Sequence, residues 1–152
     1  MSETTPAPDF TLPATGDLTV TLSELRGSKV VLYFYPKDNT PGCTNESKDF
    51  RDLHADFAAA GCVVFGISRD GMKSHENFKA KLELPFDLVS DADEAACQAF
   101  EVIKMKNMYG KQVHGIERST FLIDAQGNIA RAWRGVKVAG HAAEVLAAAQ
   151  TL

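Results

Sequence analysis

The chain has 152 residues and a formal charge of -4, from 16 Lys and Arg against 20 Asp and Glu, with a pI near 5.5. That is a one-domain length, read as a single domain over 1–152, and such a chain buries roughly 70% of its unfolded surface without needing a disulfide or metal staple. The acidic balance argues against nucleic acid or an anionic membrane as partner, and three widely spaced cysteines, at 43, 62 and 97, form neither a disulfide framework nor a zinc site.

No basic start followed by an apolar core and a small-residue cleavage site opens the chain, so no secretory signal is visible. The longest apolar run, Val30 to Tyr35, is far too short to cross a bilayer. The expected setting is a reduced cytoplasm.

After a polar start, Phe10 to Leu12 and Val20 to Leu22 read as short strands flanking a Gly16-Asp17 turn. "KVVLYFYP", Lys29 to Pro36, is a β-branched and aromatic run suited to a central strand covered on both faces. Phe50, Leu53 and Phe57 recur at helical spacing in the next stretch, which Gly61 ends. "CVVFGIS", Cys62 to Ser68, is a second buried strand, and Met72 to Leu84 a second helix stopped by Pro85. A strand at Phe86 to Val89 and a short helix around Asp93 to Phe100 follow. Strands Ser119 to Asp124 and Asn128 to Trp133 form a hairpin about Gln126-Gly127, and a helix from His141 to Ala149 closes the chain. This order predicts an α/β domain of thioredoxin-like type, a three-layer sandwich with a central mixed sheet flanked by helices.

Cys43 takes its meaning from that order. It lies where the central strand hands over to a helix, outside the carboxyl end of the strand, where open α/β sheets hold their sites. Unpaired N–H groups of a first helical turn and the helix dipole favour a thiolate there, the reactive form of cysteine. The Pro41-Gly42 pair before it points to an exposed turn rather than a buried, inert thiol. Thr40 is near enough to turn its hydroxyl toward the same pocket, and Pro36 and Pro41 stiffen the loop. A disulfide oxidoreductase would need a second cysteine three residues on, but Glu46 stands there. A carboxylate at that offset suits an arginine brought in from another element, or simply complements the helix dipole.

"YFYPKDNTPGCTNE", with Pro36, Thr40 and Cys43 in a P-x-x-x-T-x-x-C pattern, resembles the active-site signature of the peroxiredoxins. "APDFTLP", "LSELRGSKVVLYFYP", "DFRDLH" and "STFLIDAQGNI" resemble the bacterioferritin-comigratory, or Q-type, subfamily over nearly the whole chain. The resemblance implies thiol-dependent reduction of hydrogen peroxide and alkyl hydroperoxides without metal or organic cofactor. It implies that Cys43 attacks, that Thr40 and an arginine hold the peroxide oxygens, and that Pro36 shields the sulfur. The arginine falls on Arg118, just before "STFLID"; a charge adjoining an apolar strand is costly unless paired or functional.

Many Q-type members carry a resolving cysteine five residues after the attacking one, where this chain has Lys48; others carry it in the next helix, where "KSHENFKAKLEL" has none. The expectation is therefore a one-cysteine cycle, with thioredoxin, glutaredoxin or glutathione as reductant and a monomer or weak dimer as the working form. The alternative is a two-cysteine enzyme resolved by Cys97 or Cys62, although both suit core packing. An alternative of another class is a thioredoxin-fold binding or holdase module without turnover. His54, His75, His114 and His141 are scattered and read as surface or helix-face residues. Lys73, Lys79, Lys81, Glu76 and Glu83 read as a solvated helix face.

Overall fold

Strand β4, Lys29–Phe34, is the axis of the molecule, and its last five residues are buried. The computed structural model describes residues 5–108 and 110–152, with the side chains of all of these except 106–108 and 111–114. β4 pairs in parallel with β5, Cys62–Ser68, and antiparallel with β9, Ser119–Ile123. Beyond β5 lie β6 (Asp87–Ser90), β2 (Thr11–Ala14) and β3 (Leu18–Thr21); beyond β9 lie β10 (Asn128–Arg134) and β1 (Thr5–Pro6). The eight strands make one mixed sheet between two helical layers, the three-layer arrangement expected from the chain order.

A strand turns successive side chains to opposite faces, and β4 divides the core accordingly. Val31, Tyr33 and Tyr35 face a cluster with Phe50 of α1 (Pro41–Asp52), Phe57 of α2 (His54–Ala59), Phe78 of α3 (Met72–Leu82) and Val145 of α5 (His141–Gln150). Val30, Leu32 and Phe34 face a second cluster with Phe10, Phe121 and Cys97 of α4 (Ala95–Ala99). No helix among the described residues is long and apolar enough to cross a membrane.

Several boundaries differ from the sequence reading. The stretch after β4 is two helices, broken at Leu53 with φ -99 and ψ 4. Phe50 and Phe57 still reach one cluster, so their spacing does not reveal the break. The next helix stops at Leu82 because Glu83 turns left-handed (φ 54, ψ 49), two residues before Pro85. Leu22 belongs to a short 3-10 turn, Leu22–Leu25, rather than to a strand.

A hairpin absent from the sequence reading joins β7 (Ile103–Met108) to β8 (Lys111–Ile116) as a separate two-stranded sheet. Ile103 packs against the second cluster, but Met105, two residues on and between two lysines, is 55% exposed, so only a short apolar alternation marks β7. His114 lies on β8, and its side chain is outside the described set.

Gly66 on β5 pairs with Tyr33. A Cβ there would stand 2.7 Å from the Tyr33 ring and 2.8 Å from Leu88 Cδ2. Gly66→Ala should therefore drive Tyr33 off its stack on Phe50, whose centroid is 4.7 Å away. Overpacking of this kind costs about 1–3 kcal/mol. Urea unfolding checks it: the expected result is a lower midpoint with an unchanged slope, and an unchanged midpoint contradicts the constraint.

Candidate active site

The loop from β4 to α1 delivers the thiol. Asn39 takes a left-handed turn at φ 65, a conformation its short polar side chain tolerates. Thr40 is extended and precedes the helix, and Pro41 opens it, where its missing N–H costs nothing. Cys43 is therefore the third residue of α1, within the turn whose N–H groups lack helical partners. Its side chain is buried at 0% exposure. The exposed turn expected from Pro-Gly covers Pro41 but not the sulfur.

Arg118 reaches this point through strand register. Ser119 pairs with Phe34, the last residue of β4, so Arg118 projects just past the strand end, over the start of α1. Its Nη2 lies 3.4 Å from Cys43 Sγ and its Nη1 2.7 Å from Glu46 Oε1. A Cβ on Gly42 would approach Arg118 Nη2 to 3.1 Å, so the missing side chain gives the guanidinium its room.

Glu46 is buried, and its Oε2 has no hydrogen-bond partner among the described residues. Burial lifts its carboxyl from the ordinary 4.5 to about 7, against the pull of the Arg118 charge and hydrogen bond. Burial also works against the Arg118 cation, but Glu46 and then Cys43 outweigh it and hold the guanidinium above its ordinary value.

The Thr40 hydroxyl donates to Lys37 O at 2.9 Å. Its single proton is committed, so it offers a substrate only lone pairs. Pro36 is half-buried. Tyr33, stacked on Phe50, has its hydroxyl 2.9 Å from Ser47 Oγ.

His141, read from sequence as a surface or helix-face residue, opens α5 and is buried, with Nε2 2.8 Å from Thr120 Oγ1 and its ring edge-on to Phe50 and Trp133. Burial pushes its imidazole down, Glu144 opposes this, and Arg118 adds to it. His75 is buried as well, bonded to Asp38. Neither has a local sequence signal, since their partners lie 21 and 37 residues away.

The other thiols stand apart from Cys43. Cys62 pairs with Lys29 at the start of β4, whereas Cys43 follows its far end; five strand steps separate those ends by roughly 17 Å. Burial pushes the Cys62 thiol up, with Lys29 opposing. Cys97 packs in the cluster on the opposite face of the sheet. Burial first, then a hydrogen bond to Asp91 and its charge, hold that thiol well above the ordinary range. Lys48 is exposed on α1.

A family model described as the AhpC/TSA family matches residues 4–132. Peroxiredoxin Bcp of Xanthomonas campestris is 58% identical over 145 residues, covering 94% of this chain and 91% of that protein. The chain belongs to the peroxiredoxins, in their Bcp or Q type. Xanthomonas campestris peroxiredoxin Q superposes with a TM-score of 0.90 at 56% identity, over 93% of this chain and 90% of that one. The same match holds for a trapped intermediate/ligand complex of the Xanthomonas campestris bacterioferritin comigratory protein, solved for insight into its alkyl peroxide reduction activity. Peroxiredoxins are thiol peroxidases, so this peroxiredoxin is an enzyme, which sets aside a binding module without turnover.

The raised Glu46 carboxyl sets a pH dependence. Between pH 4.5 and about 7 the folded protein holds a proton that the unfolded chain has released. This contribution is full below pH 4.5 and is lost as pH rises through about 7. Glu46→Gln should flatten that part of the stability profile, measured as urea midpoints across the window. A slope that survives the substitution assigns the effect to another group.

Proposed function

We propose that Cys43 is the peroxide-reactive nucleophile and that Arg118, Thr40 and Pro36 complete its site, with Glu46 holding the arginine. The observation that carries this is the partly buried guanidinium within 3.4 Å of Cys43 Sγ, at the start of a helix. Its positive charge stands against the sulfur that attacks. The thiolate attacks one oxygen of hydrogen peroxide or an alkyl hydroperoxide, and the O–O bond breaks. The second oxygen leaves as hydroxide or alkoxide and takes up a proton, leaving Cys43 as sulfenic acid. Arg118 lies on the side to which negative charge moves, and Thr40 accepts the proton of the bound peroxide as a hydrogen bond. The alkyl peroxide reduction described for the Xanthomonas campestris protein supports the substrate class.

The placement of the remaining cysteines favours a one-cysteine cycle. A bridge to either would require the Cα atoms to come within about 7 Å. An external thiol then attacks the sulfenic sulfur, releases water and leaves a mixed disulfide, which a second thiol reduces. Thioredoxin, glutaredoxin or glutathione fits that role, and exposed Lys48 offers an acidic reductant surface a charge near the site. The same reading takes the chain as one cytoplasmic domain over 1–152, a monomer or weak dimer, working without metal or organic cofactor.

Stopped-flow peroxide reduction tests the assignment. Cys43→Ser should abolish it, while Cys62→Ser and Cys97→Ser leave the first oxidation nearly intact; equal losses in all three overturn it. Arg118→Met should slow the reaction by about 10²–10³, the usual cost of one transition-state donor, and should slow iodoacetamide alkylation of Cys43 as well. Unchanged rates would put Arg118 outside the chemistry. Under excess peroxide, intact mass should show successive oxygen additions at Cys43. A loss of two hydrogens, with Cys43 linked to Cys97 or Cys62, would establish the two-cysteine cycle instead.

A further inference from the structure

Beneath the β4–α1 loop lies a buried polar knot that the peroxide chemistry above does not use. Asp38, in the loop, is 4% exposed, and His75, on α3, is 0% exposed. The Asp38 carboxylate accepts from Tyr35 Oη at 2.6 Å, Ser74 Oγ at 2.8 Å and His75 Nδ1 at 2.8 Å. The other ring nitrogen, Nε2, lies 3.0 Å from Val89 O. The exit of β4, the exit of β5 and the first turn of α3 are thereby tied together, since Asp38 N–H also donates to Asp70 Oδ2 at 2.9 Å. Ser68 Oγ donates to the same Asp70 oxygen at 2.6 Å.

The connection to the site is a single peptide unit. Asp38 N–H and Lys37 C=O are its two ends. Asp70 holds the N–H end, and the C=O end receives the Thr40 hydroxyl at 2.9 Å. A peptide is planar, so fixing one end fixes the direction of the other. The carbonyl in turn fixes where the Thr40 proton points, and hence which lone pairs remain for a peroxide. The His75–Asp38 bond keeps the residue carrying that peptide from rotating. Removing the imidazole would leave a buried carboxylate without one of its three donors, a costly state that the loop relieves by moving.

We propose that Asp38, His75 and Asp70 are positioning residues of the peroxide site, acting through the Lys37–Asp38 peptide on the Thr40 hydroxyl. The inference rests on the peroxidase reading above and adds to it a support that none of the site residues supplies. These residues do not touch the substrate. They decide whether Thr40 presents an acceptor to it.

The test compares two reactions at Cys43 in four single variants and four double variants. Peroxide oxidation needs an oriented Thr40; iodoacetamide alkylation reads the thiol alone. His75→Gln and Asp70→Ala should each slow peroxide oxidation about 10-fold, the order of effect that small misplacement produces. Alkylation should change less than about 2-fold. Thr40→Val removes the hydroxyl these residues orient, so either substitution on that background should cost less than about 2-fold further. Thr40→Ser, which keeps a hydroxyl, should preserve the sensitivity to both. Losses that persist in full on the Thr40→Val background overturn the proposal, as do equal losses in the two reactions or no loss at all. If His75→Gln does not fold, Asp70→Ala carries the same cycle, because Asp70 is only half-buried. A failure of the peroxidase reading itself looks different: the unaltered protein would not consume peroxide.

Discussion

A partly buried guanidinium shared between a carboxylate and a thiol is the constraint around which this molecule is arranged. Arg118 contacts Glu46 and Cys43 together, and its desolvation is tolerable only because both acceptors are in place. Three separate features make that possible. The register of β9 against β4 carries Arg118 to the strand end. Gly42 leaves the space beside its Nη2. Glu46 sits one helical turn after Cys43, so one helix supplies both partners. A shift in any of these leaves a charge buried without its partner.

The apolar framework explains why the polar groups gather where they do. Along β4 the two faces are filled almost wholly by aromatic and aliphatic side chains, which leaves no place for charge within the layers. Glu46, Asp38 and His75 gather instead beyond the carboxyl ends of β4 and β5, where strands give way to loops and helix starts. The Arg118–Glu46 pair lies on one side of the β4–α1 loop and the Asp38–His75 knot on the other. The loop is held by the Asp38 N–H bond to Asp70 and the Thr40 hydroxyl bond to Lys37, and Arg118 bonds to α1 just beyond it. Such fixed donors and acceptors stabilise shifting charge without reorganising during the reaction.

The three cysteines illustrate how position, not residue type, sets thiol chemistry. Cys43 has a cation against its sulfur. Cys97 has a carboxylate, Asp91, hydrogen-bonded to its side chain and a core around it, which favours the neutral thiol. Cys62 lies between these cases, buried at the strand start with Lys29 nearby. All three are buried, so exposure does not separate Cys43 from the others; its charge partner does.

Much of the fold was legible in the chain because hydrophobic runs carry their own signal. The β-branched and aromatic stretch at Lys29 to Pro36 marked the central strand, and the Pro41-Gly42-Cys43 turn with Glu46 beyond it marked a thiol at a helix start. The Lys-rich β7–β8 hairpin carried only a short alternation, Ile103-Lys104-Met105-Lys106, in which Met105 is exposed. Spacing likewise concealed the break at Leu53, since both helices deliver their phenylalanines to one cluster. What only the tertiary structure decided were the pairings across distance: Arg118 with Cys43, 75 residues apart, and His75 with Asp38, 37 apart. The first depends on the register of β9 against β4, and the second on how α3 packs beside the end of β4. Local sequence determines which residues make strands and helix starts. Only the packed sheet determines which charge ends up beside which thiol.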